Sequence, residues 1–198
     1  MTLGAGLGWK LPALVRRLTE CGIEHAIGGA MAAAYWGIPR GTADIDVNIF
    51  LDQSEGASAL ACLAPLGIRP EQADALASLE RQGQVRLAWE ETPVDLFFAY
   101  HAFHQSCRAR AVEVPLDDHQ ITILSAEDLV IFKVLFNRPR DWGDIEQILD
   151  VQGEAFDAAY AFRWLDEILG AEDSARARLA DVTGWGHEPG PSSGRASR

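Results

Sequence analysis

Two aspartates, Asp44 and Asp46, stand one residue apart in a segment that alternates between apolar and polar residues. Alternation with a period of two is typical of a β-strand, so both carboxylates should project from one face of that strand. Like charges held this close repel each other, and a divalent cation such as Mg²⁺ relieves the repulsion while binding phosphate oxygens. The pattern therefore indicates metal-assisted phosphoryl or nucleotidyl transfer, although a chance tripeptide at a strand edge would look the same.

Three further features have the residue types that such chemistry needs. Gly28 and Gly29 lie at a strand-to-helix junction, where missing side chains let backbone N–H groups approach a phosphate; a simple turn is the alternative. Asp95 is a lone charge in an apolar strand, which is costly if buried without a cation, unless it faces water at a sheet edge. Lys133 is the only charge between residues 129 and 136, and it needs an anion unless its side chain reaches solvent.

The elements that must position these residues follow from periodicity and turn signals. Helical spacing predicts helices over residues 11–21, 31–36, 54–66 and 71–82, and apolar alternation predicts strands over 23–27, 44–51, 85–89, 93–100, 112–116 and 120–124. In the strand over 44–51, the apolar residues share one face, so the opposite face should be acidic and exposed. The sequence thus predicts a mixed sheet flanked by helices.

The chain changes character at Ser125, which with Asp128 forms a capping box before an apolar helix over residues 129–136. Helical patterns continue over 141–149, 156–169 and 173–182. We therefore expect an α/β (α+β) fold in a single domain over residues 1–183, with a core over 11–124 and a C-terminal helical lobe over 125–183. Residues 184–198, rich in Gly, Pro and Ser, are expected to be a disordered tail.

Composition restricts the partners and the compartment. Twenty-nine acidic and seventeen basic residues give a net charge of −12, which disfavours duplex DNA as a partner. The three cysteines, Cys21, Cys62 and Cys107, show no paired spacing and are expected to be reduced thiols. No signal peptide or apolar run long enough for a membrane span is present, so we expect a cytoplasmic protein with no membrane partner.

Weaker candidates have ordinary explanations. His101 and His104 could share a helix face, but no third metal ligand is near in sequence, so surface or capping positions are favoured. Arg108 and Arg110 could form a basic patch in space together with the arginines at positions 138 and 140, although solvated faces are the commoner arrangement.

In combination the motifs resemble a known superfamily. Gly28-Gly29-Ala30-Met31-Ala32, the segment from Gly37 to Val47, and Val94-Asp95-Leu96 together look like the polymerase-β-like nucleotidyltransferases. The variant Arg-x-Thr-x-Asp-Ile-Asp is closest to AbiEii-type toxins and related bacterial nucleotidyltransferase-like proteins. Ser125 to Leu129, Lys133 and the segment from Arg138 to Ile145 resemble the second half of that group, so the resemblance covers about residues 11–182.

The resemblance implies a role for each matching residue. Gly28 and Gly29 would cradle a triphosphate, Asp44 and Asp46 would hold Mg²⁺ or Mn²⁺, and Asp95 would be the third metal ligand and help to activate the attacking hydroxyl. The remaining implied roles are phosphate contact by Lys133, support of the lysine or nucleotide by Asp144 and less securely by Asp141, shaping of the loop before the strand by Arg40 and Thr42, and a phosphate contact by Arg40. Gly-Gly replaces the commoner Gly-Ser, so a hydroxyl that sometimes contacts phosphate is absent.

The implied reaction moves a nucleoside monophosphate from a nucleoside triphosphate to a hydroxyl or phosphate acceptor. For a toxin of the AbiEii kind, the acceptor could be the end of a tRNA or another RNA, and the partner would be a separately encoded antitoxin. Two alternatives stay open. One is a catalytically inactive protein of the same fold that binds a nucleotide or a partner, and the other is a structural α/β domain whose acidic strand face is merely solvated.

Overall fold

The computed structural model describes residues 6–71 and 74–185, and these residues form nine α-helices and seven β-strands. The helices are α1 (Leu7–Glu20), α2 (Gly29–Trp36), α3 (Gly56–Leu63), α4 (Ala75–Gln82), α5 (Ala102–Arg110), α6 (Ala126–Phe136), α7 (Pro139–Gln152), α8 (Ala158–Ile168) and α9 (Ser174–Thr183). The strands are β1 (His25–Ile27), β2 (Ile45–Asp52), β3 (Arg69–Pro70), β4 (Gln84–Trp89), β5 (Thr92–Ala99), β6 (Val112–Leu116) and β7 (His119–Ile123). The predicted α/β class with a mixed sheet flanked by helices is confirmed.

The seven strands form one sheet in the order β3-β4-β5-β2-β1-β7-β6. Strands β2 and β5 run parallel at its centre, as do β1 and β7, while the other neighbours are antiparallel. In the β2–β5 pair, Asp46 lies directly opposite Asp95. Because paired residues of neighbouring strands point to the same side of a sheet, both carboxylates are on one side.

Strand β2 is buried on both faces rather than on one. The predicted apolar face is correct, since Ile45, Val47 and Ile49 have no exposed surface. The expected exposed face is wrong: Asn48 and Phe50 are only 4% and 9% exposed. Helix α2 packs on β2 and contacts α6, so the polar side of the strand faces a narrow space between sheet and helices instead of open water.

Helix α6 begins as the capping box predicts. The Ser125 Oγ accepts a hydrogen bond from the Asp128 backbone N–H at 3.1 Å and donates one to the Asp128 carboxylate at 2.8 Å. The helix ends at Asn137, which has a positive φ of 52°, and α7 starts two residues later. This short turn brings the end of α6 next to the start of α7, which is the arrangement that positions the site described below.

One helix was not predicted. Helix α5 follows the polar residue His101, whose ring nitrogen caps it by accepting a hydrogen bond from the Phe103 N–H at 3.1 Å. Its weak apolar pattern gave no helical signal in the sequence. The capping position expected for one of the two histidines is thus found at His101, whereas His104 is only 4% exposed and packs against Phe103 and Phe132, so a surface position is wrong for it.

The cysteine prediction is wrong for two of the three residues. Cys21 and Cys62 form a disulfide across a Cα–Cα distance of 6.3 Å, and only Cys107 is a free, buried thiol. The pair joins the end of α1 to α3, two helices that pack side by side and are further linked by a 2.8 Å hydrogen bond from Arg17 Nε to the Cys62 carbonyl. Spacing rules detect only local pairs, and these cysteines are 41 positions apart.

The C-terminal residues differ from their prediction at two positions. Gly184 has a positive φ and ends α9, and the Trp185 ring stacks on Phe162 with centroids 6.1 Å apart. These two residues of the expected tail are therefore ordered. The remainder of the expected tail, residues 186–198, lies outside the described residues. Over the described ranges, no helix combines the length and the apolar character needed to cross a bilayer.

Candidate functional site

The three predicted carboxylates lie on one side of the sheet and line one cleft. Asp44 immediately precedes β2, Asp46 is its second residue, and Asp95 is paired with Asp46 on β5. The outer part of the cleft has a volume of about 550 Å³ and is bounded by all three aspartates, β4 and α4. A smaller inner cavity of about 40 Å³ continues between α2 and α6, and Asp44 and Asp46 line both parts.

The glycine pair lies against the central carboxylate. Gly28 donates its backbone N–H to the Asp46 carbonyl at 2.9 Å. Gly29, the first residue of α2, has a positive φ of 53°, and a Cβ added to it would lie 1.7 Å from Asp46 Oδ2. Only glycine therefore allows the start of α2 to approach the carboxylate so closely, which places backbone N–H groups beside the cleft.

The carboxylate electrostatics differ at the three positions. Burial, followed by the charges of Asp44 and Asp95, raises the pKa of Asp46 to about 6. Burial also raises the pKa of Asp95, against the opposing charge of Arg86 at 3.7 Å. Burial alone would raise the pKa of Asp44, but hydrogen bonds from Thr42 and the backbone, with nearby arginine charges, outweigh it and lower that pKa. Mutual repulsion is thus concentrated on Asp46.

The donor set suits a hard divalent cation, although it is not arranged around one point. Carboxylate oxygens are the ligands that Mg²⁺ or Mn²⁺ prefers, and three carboxylates line the cleft. The repulsion between Asp46 and its two neighbours favours a cation at this position. Within the described ranges, however, no three His, Cys, Asp or Glu side chains converge as a ready metal site. Asp44 is hydrogen-bonded to Thr42, and Asp95 points toward Arg86, so a metal would have to draw these side chains inward.

Lys133 points inward and meets the anion that its burial requires. Its Nζ lies 2.6 Å from Asp144 and 3.6 Å from Asp141, and the lysine is only 4% exposed. One helical turn of α7 separates the two aspartates, so both face α6. The structure therefore brings Asp144 to the lysine, and the alternative in which Lys133 reaches solvent is excluded.

Two arginines extend this ion-pair network to the cleft. Arg40 donates two hydrogen bonds to Asp144, at 2.8 and 2.9 Å, and Arg138 donates to Asp141 at 2.6 Å. Arg40 is thus part of the network that holds Lys133, and it also lines the inner cavity. Thr42 fixes the loop before β2 through its hydroxyl, which donates to the Asp44 carboxylate.

The basic patch that the four arginines could have formed is absent from the described part of the chain. Arg108 pairs with Glu24, and Arg110 donates to Glu127 at 2.8 Å, both away from the cleft. Arg138 and Arg140 instead line both parts of the cleft, because the turn between α6 and α7 brings Arg138 and the first turn of α7 there. The sequence placed these two in a possible patch and in the segment from Arg138 to Ile145 that resembles the family, but it indicated no position beside the carboxylates for either.

Asn48 is a second cleft residue that sequence reasoning did not select. It lies two positions after Asp46 on the same face of β2 and lines the inner cavity. Its side chain is buried, and Oδ1 has no hydrogen-bond partner within the described residues. Its place on the polar face of the predicted strand was the available signal, but that face was expected to be solvated.

Replacing Asn48 with leucine is expected to raise the free energy of unfolding by about 1 kcal/mol, because it removes an unpaired buried acceptor while keeping the branched shape, and the inner cavity beside it can take the larger methyl groups. Thermal unfolding should then show a melting temperature higher by roughly 3 °C. A melting temperature lower than that of the wild type would contradict this prediction.

The fold matches solved nucleotidyltransferase structures at low sequence identity. ANT(2'')-Ia, in a crystal structure with adenylyl-2''-tobramycin, superposes with a TM-score of 0.58 at 16% identity, over 87% of this chain and 98% of that one. An antigenic nucleotidyltransferase-like protein from Paracoccidioides brasiliensis gives 0.55 at 15% identity, over 91% and 93%. The lincosamide antibiotic adenylyltransferase LnuA, with lincomycin bound, gives 0.52 at 14%, over 72% and 96%.

The sequence comparisons are negative: no protein-family model and no curated protein matches the chain. The structural matches nonetheless cover most of this chain and nearly all of each neighbour. The chain therefore has the nucleotidyltransferase fold.

Proposed function

We propose that this chain is a metal-dependent nucleotidyltransferase that moves a nucleoside monophosphate from a nucleoside triphosphate to a hydroxyl or phosphate acceptor. The observation that carries the proposal is the pairing of Asp46 with Asp95 across β2 and β5, beside the Gly28-Gly29 start of α2. Carboxylates next to backbone groups suited to phosphate support metal-dependent transfer in a protein with a nucleotidyltransferase fold.

Each cleft residue has a role in the proposal. The Gly28-Gly29 turn cradles the triphosphate: the Gly28 N–H is already bonded to the Asp46 carbonyl, so the backbone N–H groups from Gly29 onward at the start of α2 approach the phosphates. Asp44, Asp46 and Asp95 would hold Mg²⁺ or Mn²⁺. The bound cation supplies charge neutralisation at the phosphate oxygens. Asp95, whose pKa is raised mainly by burial, accepts the proton of the attacking hydroxyl.

The helical part completes the site in this proposal. Lys133 contacts phosphate from the inner side of the cleft, while Asp144 and Arg40 fix the position of its ammonium group. We accordingly divide the chain into a core over residues 11–124 and a helical lobe over 125–183 that covers the cleft. Asp141 and Asp144 offset the charge of Lys133, so the lysine acts in this proposal as a hydrogen-bond donor held in a fixed position.

Two observations support two different acceptor classes. The Arg40-x-Thr42-x-Asp44-Ile-Asp46 motif resembles AbiEii-type toxins, which favours an RNA or tRNA end as acceptor and an antitoxin as partner in the cytoplasm. Two structural neighbours are instead antibiotic adenylyltransferases, which favours a small hydroxyl-bearing molecule. The outer cleft, at about 550 Å³, is of a size usual for small-molecule sites.

The second candidate is a nucleotide-binding protein without turnover. It is favoured by the side-chain positions of Asp44 and Asp95, which turn to Thr42 and Arg86 instead of converging. Such a protein would be stabilised thermally by a nucleotide with Mg²⁺ but would transfer no label.

The test incubates the protein with each labelled nucleoside triphosphate, Mg²⁺ and either total RNA or a set of hydroxyl-bearing antibiotics. The wild type should transfer label to one acceptor class, and Asp95→Asn should reduce the rate by at least about 100-fold because the proton acceptor is lost. Glu91→Gln is the matched control, since it removes an exposed carboxylate from the adjoining β4–β5 turn. Transfer by Asp95→Asn at the wild-type rate would refute the proposal, and thermal stabilisation without transfer would favour the binder.

A further inference from the structure

The positively charged side chains that line the cleft differ in whether a carboxylate contacts them. Four of them form ion pairs with carboxylates. The pairs are Arg40 and Lys133 with Asp144, Arg138 with Asp141, and Arg86 with Asp95 and Glu71, the last two within 4 Å. Arg140 also lines the cleft, yet it makes no hydrogen bond or ion pair with any residue in the described part of the chain. It is therefore the cleft cation whose charge no carboxylate offsets by direct contact.

Arg140 is also placed where the two parts of the cleft meet. It is the second residue of α7, after Pro139, and lines both the inner cavity and the outer cleft. Its guanidinium is exposed and lies within electrostatic range of the Asp44 carboxylate. It does not pair with that carboxylate, which is hydrogen-bonded to Thr42. A free guanidinium thus borders the carboxylates that would hold the metal.

We propose that Arg140 binds the β- and γ-phosphates of the nucleoside triphosphate and then the departing pyrophosphate. The inference rests on the proposed nucleotidyl transfer and adds a ligand for the leaving group. A guanidinium has five donors in a planar fork that matches phosphate oxygens, so a free arginine is suited to this task.

The proton and charge balance of the transfer shows why a cation is needed there. The acceptor oxygen forms a bond to the α-phosphorus, and its proton passes to Asp95. The bond from the α-phosphorus to the bridging oxygen breaks, and its electron pair leaves with pyrophosphate. Negative charge therefore grows on the leaving group, and Arg140 stabilises it by hydrogen bonds that strengthen as that charge develops.

The test compares the wild type with Arg140→Ala and Arg140→Lys, and titrates each protein with inorganic pyrophosphate in Mg²⁺ by calorimetry. Arg140→Ala should weaken pyrophosphate affinity by about 10- to 100-fold, as expected for losing charge-assisted hydrogen bonds, and should raise KM for the triphosphate similarly. Arg140→Lys should fall between the two because it keeps the charge and loses the fork.

Arg16→Ala is the matched control, because Arg16 is an exposed arginine on α1 that makes no hydrogen bond or ion pair within the described ranges. It should leave pyrophosphate affinity unchanged. Both alanine variants should keep the wild-type melting temperature within about 2 °C, since exposed side chains without partners contribute little to stability. A change in binding by Arg140→Ala is then not a folding defect.

The outcomes separate this inference from the proposed function. Pyrophosphate binding that depends on Arg140, in a protein that transfers no label, would refute the transferase and keep the ligand assignment. Label transfer with an unchanged pyrophosphate affinity and KM in Arg140→Ala would keep the transferase and overturn the inference. Failure of the wild type to bind pyrophosphate would overturn the inference as well.

Discussion

Replacing Asp46 with asparagine is expected to stabilise the metal-free protein while removing nearly all of its nucleotidyl transfer. The Asp46 carboxylate packs against Gly29 and lies near the charges of Asp44 and Asp95. Its negative charge is therefore unfavourable when no cation is bound. Asparagine keeps the shape and removes that charge. A rate loss of about 1,000-fold is expected from the lost metal ligand, which is within the range for removing one major electrostatic contribution.

The stabilisation should depend on pH in a defined direction. The pKa of Asp46 is raised from 3.8 to about 6 in the folded protein, so the folded state holds this proton more tightly than the unfolded state does. The resulting stability is fully present below pH 3.8 and is lost as pH rises through 6. Asp46→Asn does not titrate, so its advantage over the wild type should be absent near pH 4 and reach about 2 kcal/mol above pH 7, allowing for solvent in the cleft.

Thermal unfolding of both proteins in a chelator, from pH 4 to pH 8, measures this difference. The Asp46→Asn protein should melt roughly 5 °C above the wild type at pH 8. Added Mg²⁺ should close that gap by stabilising the wild type alone. A constant difference across the pH range, or a variant less stable than the wild type at pH 8, would mean that the carboxylate is not under electrostatic strain.

Replacing Lys133 with methionine is expected to destabilise the protein by about 3 kcal/mol, with a melting temperature lower by roughly 10 °C. Methionine fills the space but leaves Asp144 and Asp141 with one cation fewer in a buried network. The cost should lie at the lower end for a broken buried pair, because Arg40 and Arg138 still reach the two aspartates. The rate of nucleotidyl transfer per folded molecule should also fall.

Lys10→Met provides the comparison that separates stability from activity. Lys10 is as buried as Lys133, and its Nζ binds the Trp89 carbonyl, Thr92 and Glu90 at 2.8 to 3.0 Å, away from the cleft. Its replacement should destabilise the protein by a similar amount and leave transfer by the folded fraction unchanged. If both lysine variants lose transfer equally at a temperature where they are folded, Lys133 has no role beyond stability.

Local chemistry determined much of what the sequence predicted. The alternation over residues 44–51 placed Asp44 and Asp46 on one face of a strand, and that prediction needed only the two-residue period of a β-strand. The capping box at Ser125 likewise specified the start of α6, because a cap depends on residues within one helical turn. The mixed sheet flanked by helices followed from the same patterns.

Tertiary structure alone decided which distant residues meet. The register of β2 against β5 pairs Asp46 with Asp95, the packing of α1 on α3 joins Cys21 to Cys62, and the turn after α6 brings Asp144 to Lys133. No local period encodes these contacts, because each depends on how separate elements pack. Burial of the polar face of β2 was decided in the same way: a two-residue period separates the faces of a strand, but the helices packed on the sheet determine which face water reaches.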